Sequence, residues 1–220
     1  MRIAGSSNMS DARKLGAIIR HARKLFPNDG KRYRGPLALS VRNGDVPSAI
    51  MFVAEAPGRL GAGSTGIPFY SERGARSAKR FADLIGRLGA DCDSQNGWQG
   101  HDVFVTDVVL RAPMYSPGDR RNRGISRREI NASLPLLKEQ IGVVRPRIVV
   151  ALGAKACRAL STLFGCEVGI DGRIRSLPRK GLDLVGCPHP SPQNMGELRF
   201  VRIQDRVFRK LFTYLNGAQR

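Results

Sequence analysis

Apolar residues along this chain fall into two kinds of pattern. Short, nearly continuous apolar runs occur in SAIMFVAEA, DVFVTDVVL, RIVVALG and LDLVGCPHP, and runs of this length are typical of strands buried on both faces of a sheet. Elsewhere apolar residues recur every three or four positions, which predicts helices. Strands that alternate with helices predict an α/β protein, here a three-layer α/β/α sandwich around a central four-stranded, parallel, twisted sheet. The predicted helices are MSDARKLGAIIRHARKLF, ARSAKRFADLIGRLG, SRREINASLPLLKEQIGVV, residues 154–164 and ELRFVRIQDRVFRKLFTYL.

Capping residues mark several of the predicted helix ends. Ser10 is a suitable N-cap for the first helix, Gly89 ends the second, and Ser126 with Glu129 forms a capping box before the third. No internal repeat or linker interrupts the pattern. We therefore expect a single domain over residues 1–220, with residues 1–9 flexible.

Charge narrows the class of protein. The chain has 37 Lys and Arg against 18 Asp and Glu, a net charge of +19. An excess this large points to a polyanionic partner, most often nucleic acid, and the alternative is a basic protein without such a partner.

No apolar run is long enough to span a bilayer and the N-terminus lacks a secretory signal, so we expect a cytoplasmic protein, nucleoid-associated if bacterial. We also expect a monomer. The four cysteines are scattered without a C-x-x-C pair, which predicts reduced thiols and no metal site.

Candidate chemistry lies where the predicted strands end. Glu55 follows the first strand and opens the glycine-rich stretch EAPGRLGAGSTG, which lacks the Gly-Lys-Ser/Thr of a P-loop. Asp107 ends the second strand, and His189, Ser191 and Gln193 follow the fourth. Singly, each of these residues also fits an ordinary role as a loop acid, a cap or a core histidine. Because ligands of open parallel sheets bind at the carboxyl ends of the strands, we expect these side chains to form one site.

Five motifs, taken in order, give the chain a family resemblance. AEAPG, GIPFYSERG, VTDVVLRAP, IVVALG and HPSP resemble the uracil-DNA glycosylase superfamily, and are most similar to its family-4-like branch. The resemblance covers about residues 49–215. It implies a DNA repair enzyme that flips uracil out of single- or double-stranded DNA, hydrolyses the N-glycosidic bond and leaves an abasic site.

The resemblance also implies a role for each site residue. Glu55 would stabilise the sugar cation and orient water, and His189 would stabilise the anion that forms on uracil O2. Phe69 would stack on the base, Asp107 would read its edge, and Ala56 stands where the best-known branch has its catalytic aspartate. Gly58 would line the base pocket. A DNA-binding loop would be formed by Pro190, Ser191, Pro192 and Gln193, and Gln193 stands where relatives in other branches place an intercalating leucine. Phosphates would be bound by the arginine cluster Arg120, Arg121, Arg123, Arg127 and Arg128.

Two departures from the family-4 pattern change what is expected. Relatives hold an iron–sulfur cluster with four cysteines, but IRHARKLFP contains none, Arg111 stands at the third position and Ser133 near the fourth. The protein should therefore have no metal and no cofactor. Asp107 replaces the asparagine that pairs with uracil. A protonated Asp107 could serve both O4 and N3–H, whereas an ionised one would shift specificity towards cytosine or a deaminated purine.

The residues leave other functions open. No lysine is placed at a strand-end motif to serve as an amine nucleophile, so we expect no lyase step. The histidines are His21, His101 and His189, so we expect no covalent trapping of DNA. A catalytically silent module that recognises damaged or abasic DNA fits the same motifs. A small-molecule nucleotide hydrolase fits the fold but not the positive charge.

Overall fold

The structure is a computed structural model that describes residues 7–100, 102–114 and 123–217. Its strands are β1 (Tyr33–Arg34), β2 (Ile50–Ala54), β3 (Asp91–Asp93), β4 (Gly97–Gln99), β5 (Val103–Asp107), β6 (Ala112–Pro113), β7 (Ile148–Leu152), β8 (Ile174–Leu177) and β9 (Leu182–Cys187). Its α-helices are α1 (Ser7–Leu25), α2 (Ala62–Thr65), α3 (Arg76–Gly86), α4 (Arg127–Val144), α5 (Ala154–Phe164), α6 (Pro192–Met195) and α7 (Leu198–Gly217). Two 3₁₀ turns cover Val41–Asn43 and Pro178–Lys180.

A five-stranded sheet in the order β5-β2-β7-β9-β8 forms the centre of the molecule. The four strands predicted from the apolar runs are β2, β5, β7 and β9, and all of them pair in parallel. The predicted count of four strands is wrong by one, because β8 adds to β9 as an antiparallel edge. Its residues alternate between exposed and half-buried, so no continuous apolar run marks this strand in the sequence.

Alternate residues of each central strand enter two separate cores. Met51 and Val53 face one core, and Ile50 and Phe52 face the other. The first core also contains apolar residues of α1, α4 and α5, while the second contains those of α3 and α7. Burial on both faces explains why these strands read as continuous apolar runs, and the three-layer α/β/α prediction is confirmed.

Of the predicted helix caps, the structure contains the one at the start of α4 but not the one at the start of α1. The predicted capping box opens α4, since Glu129 N donates to Ser126 Oγ at 3.2 Å and Ser126 N donates to Glu129 Oε2 at 2.8 Å. By contrast, α1 begins at Ser7, so Ser10 lies inside the helix and is not its N-cap. No helix in the described part of the chain is long and apolar enough to cross a membrane.

Candidate active site

The candidate site lies at the carboxyl ends of four parallel strands. From β2 the chain moves to β5 on one side and then crosses to β7 on the other, which makes the end of β2 a topological switch point. Ala54, the last residue of β2, is paired with Asp107, the last residue of β5. Glu55 therefore follows directly beside Asp107, and His189 lies two residues beyond the end of β9. The tertiary structure thus gathers the predicted residues at one edge of the sheet.

Glu55 is held by two donors that both bind the same carboxylate oxygen. Its Oε1 accepts from the backbone N of Ile125 at 3.1 Å and from Lys155 Nζ at 2.8 Å. Both side chains of this ion pair are about one-third exposed. No residue in the described part of the chain donates to Oε2.

Lys155 is a site residue that the sequence reasoning missed. It lies in the first turn of α5, directly after β7, so a lysine does follow a strand end and that part of the prediction is wrong. The available signal was its place in LGAKA, one of the loops at the carboxyl edge. Its ammonium packs closely enough on Gly124 that an added Cβ there would lie 2.5 Å from Nζ.

His189 is partly buried and its loop is fixed through its own backbone. Its carbonyl oxygen accepts from Ser191 N at 2.8 Å, from Asn194 Nδ2 at 2.8 Å and from Gln204 Nε2 at 3.2 Å. Glycine at position 153 also allows His189 to lie close to the end of β7. The φ of Gly153 is +93°, and an added Cβ would lie 3.2 Å from His189 Cβ. Burial lowers the pKa of His189 to about 4, against a smaller opposing effect of Glu55, so the imidazole is neutral at pH 7.

Phe69 presents an aromatic face beside His189. Its ring stacks on Phe81 at a centroid distance of 4.1 Å, and its centroid lies 5.4 Å from that of His189. Phe81 is supported in turn by Trp98, whose indole N donates to Pro68 O at 2.7 Å. The φ of Phe69 is +55°, which is uncommon for a bulky residue and is typical of strained backbone at functional sites.

Asp107 is a buried carboxyl group without a partner for one oxygen. The residue is 3% exposed, and its Oδ2 makes no hydrogen bond. Burial, with a further contribution from the negative charge of Glu55, raises the pKa of Asp107 to about 8. The carboxyl group is therefore predominantly protonated at pH 7 and carries both a donor and an acceptor.

The glycine-rich loop after β2 folds back on itself. Gly58 O accepts from Gly61 N at 3.0 Å and from Gly63 N at 2.8 Å, while Ala56 packs against the first core. An added Cβ on Gly63 would lie 2.8 Å from Ala112 Cβ. Glycine in this stretch therefore permits a tight turn against β6.

The loop after His189 leads into an exposed surface. Pro190 is buried, and the hydroxyl of Ser191 makes no hydrogen bond to a described residue although Ser191 caps α6. Pro192 and Gln193 are exposed in the first turn of α6. Two apolar side chains missed by the sequence reasoning lie close behind, Met195 at 40% and Leu198 at 72% exposure.

The arginine cluster divides into different roles. Arg120 and Arg121 lie outside the described residues. Arg123 binds Glu129 with both terminal nitrogens, at 2.8 and 2.6 Å, and its Nε donates to Met114 O at 2.8 Å. Through these contacts its guanidinium anchors the N-terminus of α4 to the preceding loop. That Arg123 binds phosphate stays a prediction.

A groove between α4 and α5 carries other basic side chains. It has a volume of about 390 Å³ and is lined by Arg127, Asn131, Arg158 and Thr162. These four residues are exposed and each offers a hydrogen-bond donor, whereas none is acidic. We call it the α4–α5 groove. It opens close to the site, because Arg158 follows Lys155 by three residues on α5.

The residues at the positions of the relatives' cluster do not fit an iron–sulfur cluster. Arg111 is 7% exposed, its Nε has no hydrogen-bond partner, and burial lowers its pKa. Ser133 is buried and donates to Glu129 O at 2.7 Å. Thiolate ligands are replaced here by a cation and by a hydroxyl that is already engaged. Within the described ranges, no group of three His, Cys, Asp or Glu side chains is placed to hold a metal ion.

The fold is a three-layer α/β sandwich, and its candidate site lies at the switch point of the parallel sheet. An aromatic ring, a protonated carboxyl group and a neutral histidine lie at this site. A family model described as "Uracil DNA glycosylase superfamily" matches residues 41–216. The chain belongs to the uracil DNA glycosylase superfamily, and it lies near family 4.

Curated relatives from thermophiles show the degree of similarity. The chain is 34% identical over 155 residues to a type-4 uracil-DNA glycosylase of Pyrobaculum aerophilum, covering 70% of this chain and 67% of the relative. It is 29% identical over 154 residues to a type-5 uracil-DNA glycosylase of the same organism, covering 69% and 65%. A type-4 enzyme of Thermotoga maritima is 26% identical over 183 residues, covering 80% and 84%. The chain thus spans about two thirds of the length of the two Pyrobaculum proteins.

Proposed function

We propose that this member of the family excises uracil from DNA by base flipping and hydrolysis of the N-glycosidic bond. The observation that carries the proposal is the pocket edge formed by Phe69, Asp107 and His189 next to a tethered Glu55. A DNA substrate accords with the net charge of +19. We further propose that the enzyme works as a monomer in the cytoplasm, on single- or double-stranded DNA.

In this proposal the flipped base lies on the open face of Phe69. The opposite face is stacked on Phe81, so the ring is held in place before the base arrives. The protonated carboxyl group of Asp107 donates to uracil O4 and accepts from N3–H, as the amide of an asparagine would. Its unpartnered buried oxygen supports this assignment, because a base edge would supply the missing hydrogen bond.

Bond cleavage leaves positive charge on the sugar and negative charge on the base. Neutral His189 donates a hydrogen bond to O2 of the departing uracil and stabilises the anion. Glu55 stabilises the sugar cation, and its Oε2 orients the attacking water because Oε1 is already occupied by Ile125 and Lys155. The water adds to C1′ and its proton passes to the carboxylate.

Two surfaces beside the pocket would bind the DNA. Ser191 and Gln193 lie at the start of α6, where the hydroxyl can contact a phosphate and the amide can enter the space left by the base. The α4–α5 groove offers Arg127 and Arg158 to further phosphates. Arg120 and Arg121 remain proposed phosphate contacts.

Single-turnover excision from an oligonucleotide with one uracil tests the proposal, with alkali used to cleave the abasic product. We expect alkali-labile sites with the native protein, and His189→Ala should lower the rate about 10²–10³-fold because one preorganised donor is lost. Binding to undamaged DNA should be retained and serves as the control. Tight binding without any alkali-labile product, from oligonucleotides with uracil, hypoxanthine, xanthine or cytosine, would identify a silent recognition module instead.

A further inference from the structure

Lys155 places a primary amine inside the candidate active site. Its Nζ lies 2.8 Å from Glu55 Oε1, and Gly124 covers it without a side chain. The amine lies in the first turn of α5, where the helix dipole disfavours a positive charge. Local helix stability therefore does not account for a lysine at this position, whereas its contact with Glu55 gives the amine a carboxylate to which it can transfer a proton.

We propose that Lys155 forms an imine with the abasic product and cleaves the DNA strand by β-elimination. The proposal rests on the proposed function only in that excision supplies this product. An abasic site in its ring-opened form carries an aldehyde at C1′, next to the position where Glu55 is expected to act. The neutral form of a lysine amine is a nucleophile for a carbonyl group, and Glu55 supplies a base that can take its proton.

The reaction needs no oxidant, reductant or metal. Lys155 gives its extra proton to Glu55, and the free amine bonds to C1′ and passes one hydrogen to the carbonyl oxygen. Glu55 returns its proton to that oxygen, which leaves as water and yields a protonated imine. The carboxylate of Glu55 removes a proton from C2′, and the electron pair forms a C2′–C3′ double bond as the C3′–O bond breaks. The 3′-phosphate leaves with the bonding electrons. Water then hydrolyses the imine, which releases an unsaturated aldehyde on one fragment and restores the amine.

Borohydride trapping on a preformed abasic oligonucleotide tests the step without requiring excision. Borohydride reduces the imine to a stable amine, so the native protein should become covalently linked to the labelled strand, and without borohydride it should nick the strand in the absence of alkali. Peptide mapping should place the adduct on Lys155. Lys155→Ala should lose both signals.

Two further variants separate the nucleophile from the ion pair. Lys155→Arg keeps a cation beside Glu55 but cannot form this imine, so it should lose trapping even where uracil excision persists. Lys180→Ala removes a lysine from the 3₁₀ turn before β9, at the opposite edge of the sheet, and should trap like the native protein.

The possible results also distinguish this proposal from the proposed function. Uracil excision without trapping or nicking of the abasic strand would overturn the lyase proposal and leave the glycosylase intact. An adduct that maps to another amine, or trapping that survives in Lys155→Arg, would overturn it as well. Trapping of the preformed site by a protein that releases no uracil would support the lyase step and contradict the proposed excision.

Discussion

At the scale of single residues, the raised pKa of Asp107 makes the stability of the protein depend on pH. Its pKa of about 8 in the folded state lies above the value of 3.8 for an exposed aspartate, because burial and the charge of Glu55 disfavour the ionised form. Between about pH 4 and pH 8 the folded state keeps a proton that the unfolded state has lost. The free energy of unfolding therefore falls as pH rises through this window.

Excision by the native protein should decline above about pH 8, when Asp107 ionises and repels uracil O4. Each further pH unit lowers the protonated fraction about tenfold. Asp107→Asn should retain uracil excision and lose less of it at alkaline pH, because an amide offers a donor and an acceptor without a titrating proton. Single-turnover rates of both proteins from pH 6 to pH 10 measure the difference.

Thermal unfolding supplies the control for that comparison. Asp107→Asn should raise the melting temperature more at pH 8 than at pH 5, by about 2–4 °C for each kcal/mol recovered. Native protein that releases cytosine in preference to uracil, with the preference reversed in Asp107→Asn, would show that the carboxylate is ionised. Uracil release by the native protein alone, with the same pH profile in both, would return Asp107 to a structural role.

At the scale of elements, α7 holds the loop that carries His189 in place. Gln204 is 1% exposed on α7, and its amide donates to Pro188 O at 3.1 Å and to His189 O at 3.2 Å. Its Oε1 accepts from Arg80 of α3 at 3.4 Å. A chain of polar contacts thus connects two helices of the second layer to the loop that carries His189.

Gln204→Leu should impair excision through this loop. Pro188 O would lose its amide donor and His189 O would lose one of its three donors, at a cost of about 1–3 kcal/mol. A shift of His189 by about 1 Å would lower the rate about 10²-fold. Gln140→Leu is a matched control, since Gln140 is equally buried and accepts from Thr106 at 2.8 Å without contacting the loop. Equal loss of excision in both variants, at equal loss of melting temperature, would argue against a positioning role for Gln204.

At the scale of the whole molecule, the positive charge is expected to act through particular surfaces. Arg123 already forms an ion pair with Glu129, so the number of arginines overstates how many unpaired cations are available for DNA. Arg127 and Arg158 in the α4–α5 groove are exposed, and they lie in the N-terminal parts of α4 and α5. Each phosphate that one of these arginines binds would steepen the slope of log affinity against log salt by about 0.9 on duplex DNA.

The double variant Arg127→Ala/Arg158→Ala should therefore bind undamaged duplex more weakly, with a slope of log affinity against log salt that is shallower by about 1–2. Arg179→Ala removes an exposed arginine from the 3₁₀ turn at the opposite edge of the sheet and should leave the slope unchanged. Binding measured between about 50 and 200 mM salt gives these slopes. Identical slopes for the double variant and the native protein would remove the α4–α5 groove from the DNA-binding surface.

The amino-acid sequence by itself determined the four parallel strands, the main helices and the edge of the sheet where the site lies. These features depend on local periodicity and on the rule that parallel strands share a carboxyl edge, and both can be read without coordinates. The placement of Glu55, Asp107 and His189 at strand ends follows from this. That residues 1–220 form one domain remains a prediction.

Only the tertiary structure decided which side chains touch. Lys155 meets Glu55 across 100 positions of the chain, and Gln204 reaches the His189 loop from a helix whose rotation the sequence pattern does not fix to the level of one hydrogen bond. Strand β8 has the sequence IRSL, in which apolar residues neither form a continuous run nor alternate with polar ones, so the sequence pattern does not predict it. The protonated state of Asp107 likewise depends on burial, because the pKa of a carboxyl group is set by the desolvation and charges around it, and these arise only when the layers pack.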